Sequence, residues 1–233
     1  MLTKWQRDFQ VTIGKNNAKY FDKNSWLYFT NMRFDLVYPS YGDTYPLYNG
    51  SIGMTYEQGG IRAGLGIVTN AGDTLTLVDR AIHHFTTSLS TVEATSQNAS
   101  KLVKEFHTFF NNAVSGSVGE YKTYVLKNKL GDEERIKSLM ALLDKNNIQY
   151  GTASGNSKGY NYQNKKEETF TIASRDLVVS AAQPKAAMVK VLFEPQSKLE
   201  DSATYDITAW ALPYAYGLDA FATRQMINVN YGK

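Results

Sequence analysis

VYPSYGDTYPLYNGSIGMTYEQGG, residues 37–60, sets four tyrosines (Tyr38, Tyr41, Tyr45 and Tyr48) before a short alternating run. In that run the bulky Ile52, Met54 and Tyr56 alternate with Ser51, Gly53 and Thr55, the period of two expected of a strand. Glu57 follows on the side of the small residues, so the spacing predicts a strand-end carboxylate with room for a ligand beside it. Gly59 and Gly60 come next, where backbone freedom lets the chain turn away. WLYFT (26–30) is a second strand candidate.

Outward from this stretch the pattern becomes helical. Val78, Ile82, Phe85, Leu89 and Val92 recur at helical spacing, which predicts a helix over 74–97 that packs by this stripe, with Asp73 or Thr74 as cap. His83 then falls on the outer face and His84 on the flank. ASKLVKEFHTFF (99–110) continues as a second helix, and AVSGSVGE (113–120) reads as a linker. Beyond it, YKTYVLKN (121–128) reads as a strand. DEERIKSLMALLDKN (132–146) reads as a helix capped by Asp132, with Ile136, Leu139, Met140 and Leu143 inward. IQYG (148–151) would begin another strand, a β-α-β opening. GTASGNSKGYNYQN (151–164) reads as a polar loop, TFTIAS (169–174) and DLVVSA (176–181) as strands, and QPKAAMVKVLFEP (183–195) as a short helix with Pro184 near its start. The tail 203–221 shows no clear period. The expected fold class is α/β throughout.

Composition narrows the functions. With 233 residues and 42% hydrophobic residues the chain can bury a sizeable core. The net charge of +3 comes from scattered basic residues, so no electrostatic footprint for nucleic acid is visible. There is no cysteine, which excludes disulfides, thiolate zinc sites and a cysteine nucleophile. The N-terminal stretch has no apolar signal region, and no window approaches a membrane span, so neither a signal peptide nor a membrane partner is expected.

Several chemistries can be weighed on their residues. Adjacent helical residues diverge by roughly 100°, so His83 and His84 are poorly placed to grip one metal, and His107 belongs to the next helix. No H-x-x-E or H-E-x-x-H occurs, and no metal site is expected within this chain. GIRAGLGI (60–67) lacks the Lys-Ser/Thr of a phosphate loop and reads as a turn. No G-x-S-x-G serves a serine triad. Taken alone, Glu57 would pair with a nearby base such as Arg62.

The stretch from Val37 to Gly66 resembles the carboxypeptidase A-like zinc metallocarboxypeptidases. VYPSYG stands for that family's tyrosine loop, DTY for its acidic-aromatic part, SIGMTYE for the strand that ends in the catalytic glutamate, and RAGL for the turn that follows. Tyr41 stands where the family has a small residue, and Ala63 where it has an aromatic one. The later stretch 175–221 is similar in wording to a multidomain secreted bacterial branch of the family.

The resemblance implies Glu57 as general base and Tyr38 or Tyr41 as the tyrosine that closes over substrate. Asp43 and Arg62 would be site-wall residues. It implies a peptide or protein substrate, hydrolysis of C-terminal peptide bonds, a zinc cofactor for the full-length protein and a periplasmic or secreted location. The family's zinc ligands lie upstream of the tyrosine loop, so this chain is expected to hold no zinc and to be inactive by itself. Residues 1–113 would be the C-terminal part of the catalytic domain, 114–120 a linker and 121–233 an accessory α/β domain resembling the flavodoxin- or amidotransferase-like fold. A partial catalytic sheet predicts self-association through exposed sheet edges. The alternative is a non-catalytic peptide- or carbohydrate-binding module with a tyrosine-rich surface.

Overall fold

The computed structural model describes residues 2–30, 38–59, 65–196 and 211–231. Its architecture is mixed α/β with two antiparallel sheets.

The first element is a 20-residue helix, α1 (Lys4–Lys23), that the sequence reading did not expect. Its signal is a capping box. The Thr3 hydroxyl accepts from the Gln6 amide, and the Gln6 side chain accepts from the Thr3 amide. Phe9 and Ile13 follow at i, i+4 and are buried. A 3₁₀ turn, Leu47–Asn49, and a two-stranded sheet of β1 (Gly66–Val68) and β2 (Thr74–Thr76) precede α2 (Leu77–Gln97). Helix α2 starts on a second capping box, with Thr76 as cap and Asp79 three residues on. The cap is therefore Thr76 rather than Asp73 or Thr74.

Helix α2 is turned the opposite way from the expected one. Val78 is 65% and Phe85 63% exposed, and Ile82, Leu89 and Val92 lie outside with them. His83, Thr87, Ser90 and Ala94 are buried instead. The reason lies in α1, which meets this small polar face through hydrogen bonds. Asn16 Nδ2 donates to the Ser90 carbonyl, the Ser90 hydroxyl and Glu93, and the Tyr20 hydroxyl donates to Glu93. Small side chains let the two backbones approach where a row of Phe, Leu and Ile would hold them apart.

Helix α3 (Ala99–Val114) leads into turns at Gly116 and Gly119, both at positive φ. The second sheet has the order β5-β4-β7-β3-β6, with β3 (Thr123–Leu126), β4 (Gly155–Asn161), β5 (Lys166–Ile172), β6 (Leu177–Ser180) and β7 (Ala220–Thr223). Alternation sorts its two faces. Tyr124, Leu126, Leu177, Val179, Ala220 and Ala222 point to a helical layer. That layer contains α4 (Glu133–Lys145), through Ile136, Leu139 and Leu143, and α5 (Ala186–Phe193). Val125, Val178, Phe170, Ile172 and Phe221 point the other way and are covered by Ile227 and Val229. A short helix, α6 (Leu212–Ala215), precedes β7.

Three further expectations are corrected. WLYFT and SIGMTY join no sheet among the described residues. The β-α-β opening is replaced by antiparallel pairing, because both neighbours of β3 run against it and IQYG contributes only a bridge from Gly151 to Val178. The polar loop 151–164 contains β4, in full register with β5. Its inward positions carry Ser157 and Gly159 in place of large apolar residues. Ser157 Oγ donates to Gln225 Oε1, and a Cβ on Gly159 would stand 2.6 Å from the Ala222 carbonyl oxygen. A strand built on such residues leaves no hydrophobic alternation to read.

Tyr48 and Phe109, from before the 114–120 turns, are buried in the same core as Tyr124, Leu139 and Phe193. Desolvation in this core pushes the pKa of the Tyr48 and Tyr124 phenols well above the ordinary 10. Both tyrosines are packing residues.

Candidate functional site

Residues 51–58 run along the α1 and α2 helices without forming a strand, and their anchors are side chains. Gln6 is buried, and its Nε2 donates to the carbonyls of Leu47 (3.0 Å) and Ser51 (2.8 Å). Gln10 Nε2 donates to the Gly53 carbonyl at 2.7 Å. On the α2 side, the Tyr56 hydroxyl lies 2.6 Å from Thr91 Oγ1, which itself donates to the Thr87 carbonyl, so Tyr56 is the donor. Gln58 Oε1 lies 3.0 Å from His83 Nδ1, and an oxygen can only accept, so the proton is on Nδ1.

The predicted alternation survives in burial although the ladder is missing. Ile52 and Met54 pack against Phe9, Ile13 and Ala94, while Thr55 and Glu57 are exposed. Thr55 Oγ1 donates to Asp43 Oδ2 at 2.5 Å, which clips the run to the tyrosine loop. Gly53 lies directly under that loop: a Cβ there would stand 1.7 Å from the Asp43 carbonyl oxygen. Glu57 therefore sits two residues past the clip and on its side, at a spacing of about 7 Å along extended backbone.

Of the other expected site residues, Tyr38 and Tyr41 form an edge-to-face pair with centroids 5.0 Å apart. Tyr41 and Tyr45 are exposed, and the Tyr45 hydroxyl donates to Asn146 Oδ1 at 3.1 Å. Asp43 is half-buried and also accepts from the Thr44 hydroxyl. The structure thus joins Asp43 to the Glu57 segment through Thr55, and Tyr38 and Tyr41 stand on the loop that Asp43 belongs to. Arg62 lies outside the described residues.

No group of three or more His, Asp or Glu side chains converges to hold a metal among the described residues. His83 is committed to Gln58 and packed against Trp26 and Phe21, and His107 Nδ1 contacts Asn111 Nδ2. The reading of His83 as an outer-face residue is corrected, since it is buried at the junction of α1, α2 and Gln58. The polar anchors Gln6, Gln10 and Gln58 escaped the sequence reading, although the Thr3-x-x-Gln6 capping box was visible there. No helix among the described residues is long and apolar enough to cross a membrane.

No protein-family model matches this chain, and comparisons with curated proteins and with solved structures return no match.

Proposed function

We propose that this chain is a portion of a zinc metallocarboxypeptidase-like protein that hydrolyses C-terminal peptide bonds, with Glu57 as its general base. The observation that carries the reading is the presentation of Glu57. It is exposed at the end of a segment anchored on both flanks, on the side where Thr55 meets Asp43 of the tyrosine loop. A carboxylate held in such a place can take a proton from water and return it to a leaving amine. Tyr38 and Tyr41, from the same loop, are the groups proposed to approach the substrate.

In this reading residues 1–113 belong to the catalytic domain, 114–120 connect it to an accessory α/β part, 121–233, whose all-antiparallel sheet departs from the parallel sheet of a flavodoxin- or amidotransferase-like domain and whose core takes in Tyr48 and Phe109. With no cysteine in the sequence, that part is assigned a structural or binding role and no amidotransferase chemistry. The zinc ligands would come from residues other than these, in a periplasmic or secreted protein. The same reading proposes that the isolated chain self-associates. Leu65, Val68 and the α2 stripe are exposed, which makes such association favourable.

Two experiments test it. Reading the gene upstream of the Met1 codon is expected to show the frame continuing through an H-x-x-E pair and a later histidine; a stop codon there would overturn the enzyme reading. Calorimetric titration of the purified chain with zinc is expected to show no stoichiometric uptake, whereas tight one-to-one binding would mean that His83, His84 or His107 builds a site. The exposure of Tyr41 and Tyr45 favours a second reading, a non-catalytic peptide- or carbohydrate-binding module. That reading stands if the upstream histidines are absent.

A further inference from the structure

His83 lies where three parts of the chain meet. From α1, Phe21 places its ring 5.4 Å from the imidazole, and from the segment after α1, Trp26 approaches to 4.5 Å. Phe21 and Trp26 also meet each other edge to face at 5.3 Å. Trp26 is brought back onto the helix end by a turn at Ser25, whose φ is 57°, and its amide donates to the Phe21 carbonyl at 3.0 Å. From the third side Gln58, the neighbour of Glu57, accepts the Nδ1 proton. One imidazole therefore ties α2 both to the Trp26 segment and to the segment that presents Glu57.

We propose that His83 is a pH-sensitive clasp: when its imidazole takes up a second proton, the hold of α2 on Trp26 and Gln58 loosens, and the Glu57 segment gains freedom to move. The neutral ring suits this site. It needs one donor, for Gln58, and offers its faces to Phe21 and Trp26. The charged ring must keep a cation where two aromatic rings and the α1 end replace water.

Among the described residues, the titratable groups acting on it are Asp79 and His84, both on α2. Asp79, one turn earlier, favours the proton, and His84, next in the chain, opposes it. Asp79 is committed to the helix start, accepting from the Thr76 amide at 2.9 Å and the Thr76 hydroxyl at 2.5 Å, so its help comes from a fixed distance. Phe21, Trp26 and Gln58, on the other packed segments, bring no charge. The aromatic faces offset part of the cost. Burial, joined by His84, outweighs Asp79 and holds the His83 pKa below its ordinary value of 6.5. The sign follows from that direction. Above pH 6.5 the ring is neutral whether the clasp is open or closed, and the clasp is at full strength. As pH falls below 6.5 the open form binds the proton more readily, and the clasp weakens until the closed form is protonated too. The proposal holds whether or not Glu57 is catalytic.

The test is a pH titration of the full chain followed by NMR, reading the His83 Cε1–H shift and the exchange protection of the Trp26 amide, corrected for intrinsic rates. The expected result is a His83 midpoint below 6.5 and a loss of Trp26 protection over the same range, on the order of tenfold per pH unit of depression. His83→Phe should remove the pH dependence, and His84→Gln should leave it. If His83→Phe does not fold, the unmodified chain still decides the matter. A midpoint at or above 6.5, protection that ignores the His83 titration, or pH dependence persisting in His83→Phe would overturn the proposal.

Discussion

Gly53 has its importance in what it lacks. A methyl group there would meet the Asp43 carbonyl, a backbone atom that cannot swing aside. Gly53→Ala must push the 51–58 segment off the tyrosine loop and break the Thr55–Asp43 bond. We expect a loss of about 1–3 kcal/mol in urea unfolding, and an unchanged midpoint would show that the loop yields freely. Glu93 carries a second prediction at this scale. Hydrogen bonds from Asn16 and Tyr20, helped by Lys19, hold its carboxyl below the ordinary value of 4.5. A folded-state pKa below the unfolded one gives stability that is complete above about pH 4.5 and is lost as pH falls past it. Glu93→Gln should flatten this loss when unfolding is followed between about pH 5 and 3. Retention of the full acid slope would remove Glu93 from the α1–α2 contact.

At the scale of elements, α1 stands or falls with Gln6. That buried side chain closes the capping box with Thr3 and donates to two carbonyls of the 47–51 turn. Gln6→Leu would leave those acceptors unpaired, and we expect about 1–3 kcal/mol of destabilisation with earlier amide exchange in the first turn of α1. Helix α4 and strand β5 were legible because each buries an apolar pattern of its own period, and α5, β3 and β6 because each is a short apolar run buried almost throughout; α3 was legible as a helix. The α2 helix was legible as a helix and misread as to its face, since periodicity locates a stripe without saying what covers it. Strand β4 was hidden because Ser157 and Gly159 do the work of apolar residues there. In the candidate site, the alternation of Ile52, Met54 and Tyr56 with Thr55 and Glu57 was legible. Its anchoring was not, because Gln6, Gln10 and His83 reach it from 25 to 45 residues away.

Across the whole molecule, the turns at 114–120 do not separate two cores. Phe109 and Tyr48 are buried with Tyr124 and Leu139 against the five-stranded sheet. Phe109→Ala should therefore cost about 3–5 kcal/mol and lower amide protection in β3, on the far side of those turns. Protection unchanged in 123–126 would mean that the two parts unfold separately. By contrast, among the described residues α1 and α2 bury a small apolar set, Phe9, Ile13, Phe21 and Ala94, and leave the Val78-to-Val92 stripe outside. The most direct measurement of the proposed function is peptide hydrolysis by the longer polypeptide that it posits, compared with its Glu57→Gln variant at matched zinc content. We predict that kcat falls by about 10²–10⁴-fold while zinc content stays the same; a variant that hydrolyses the peptide at the unmodified rate would contradict the assignment of Glu57 as the base.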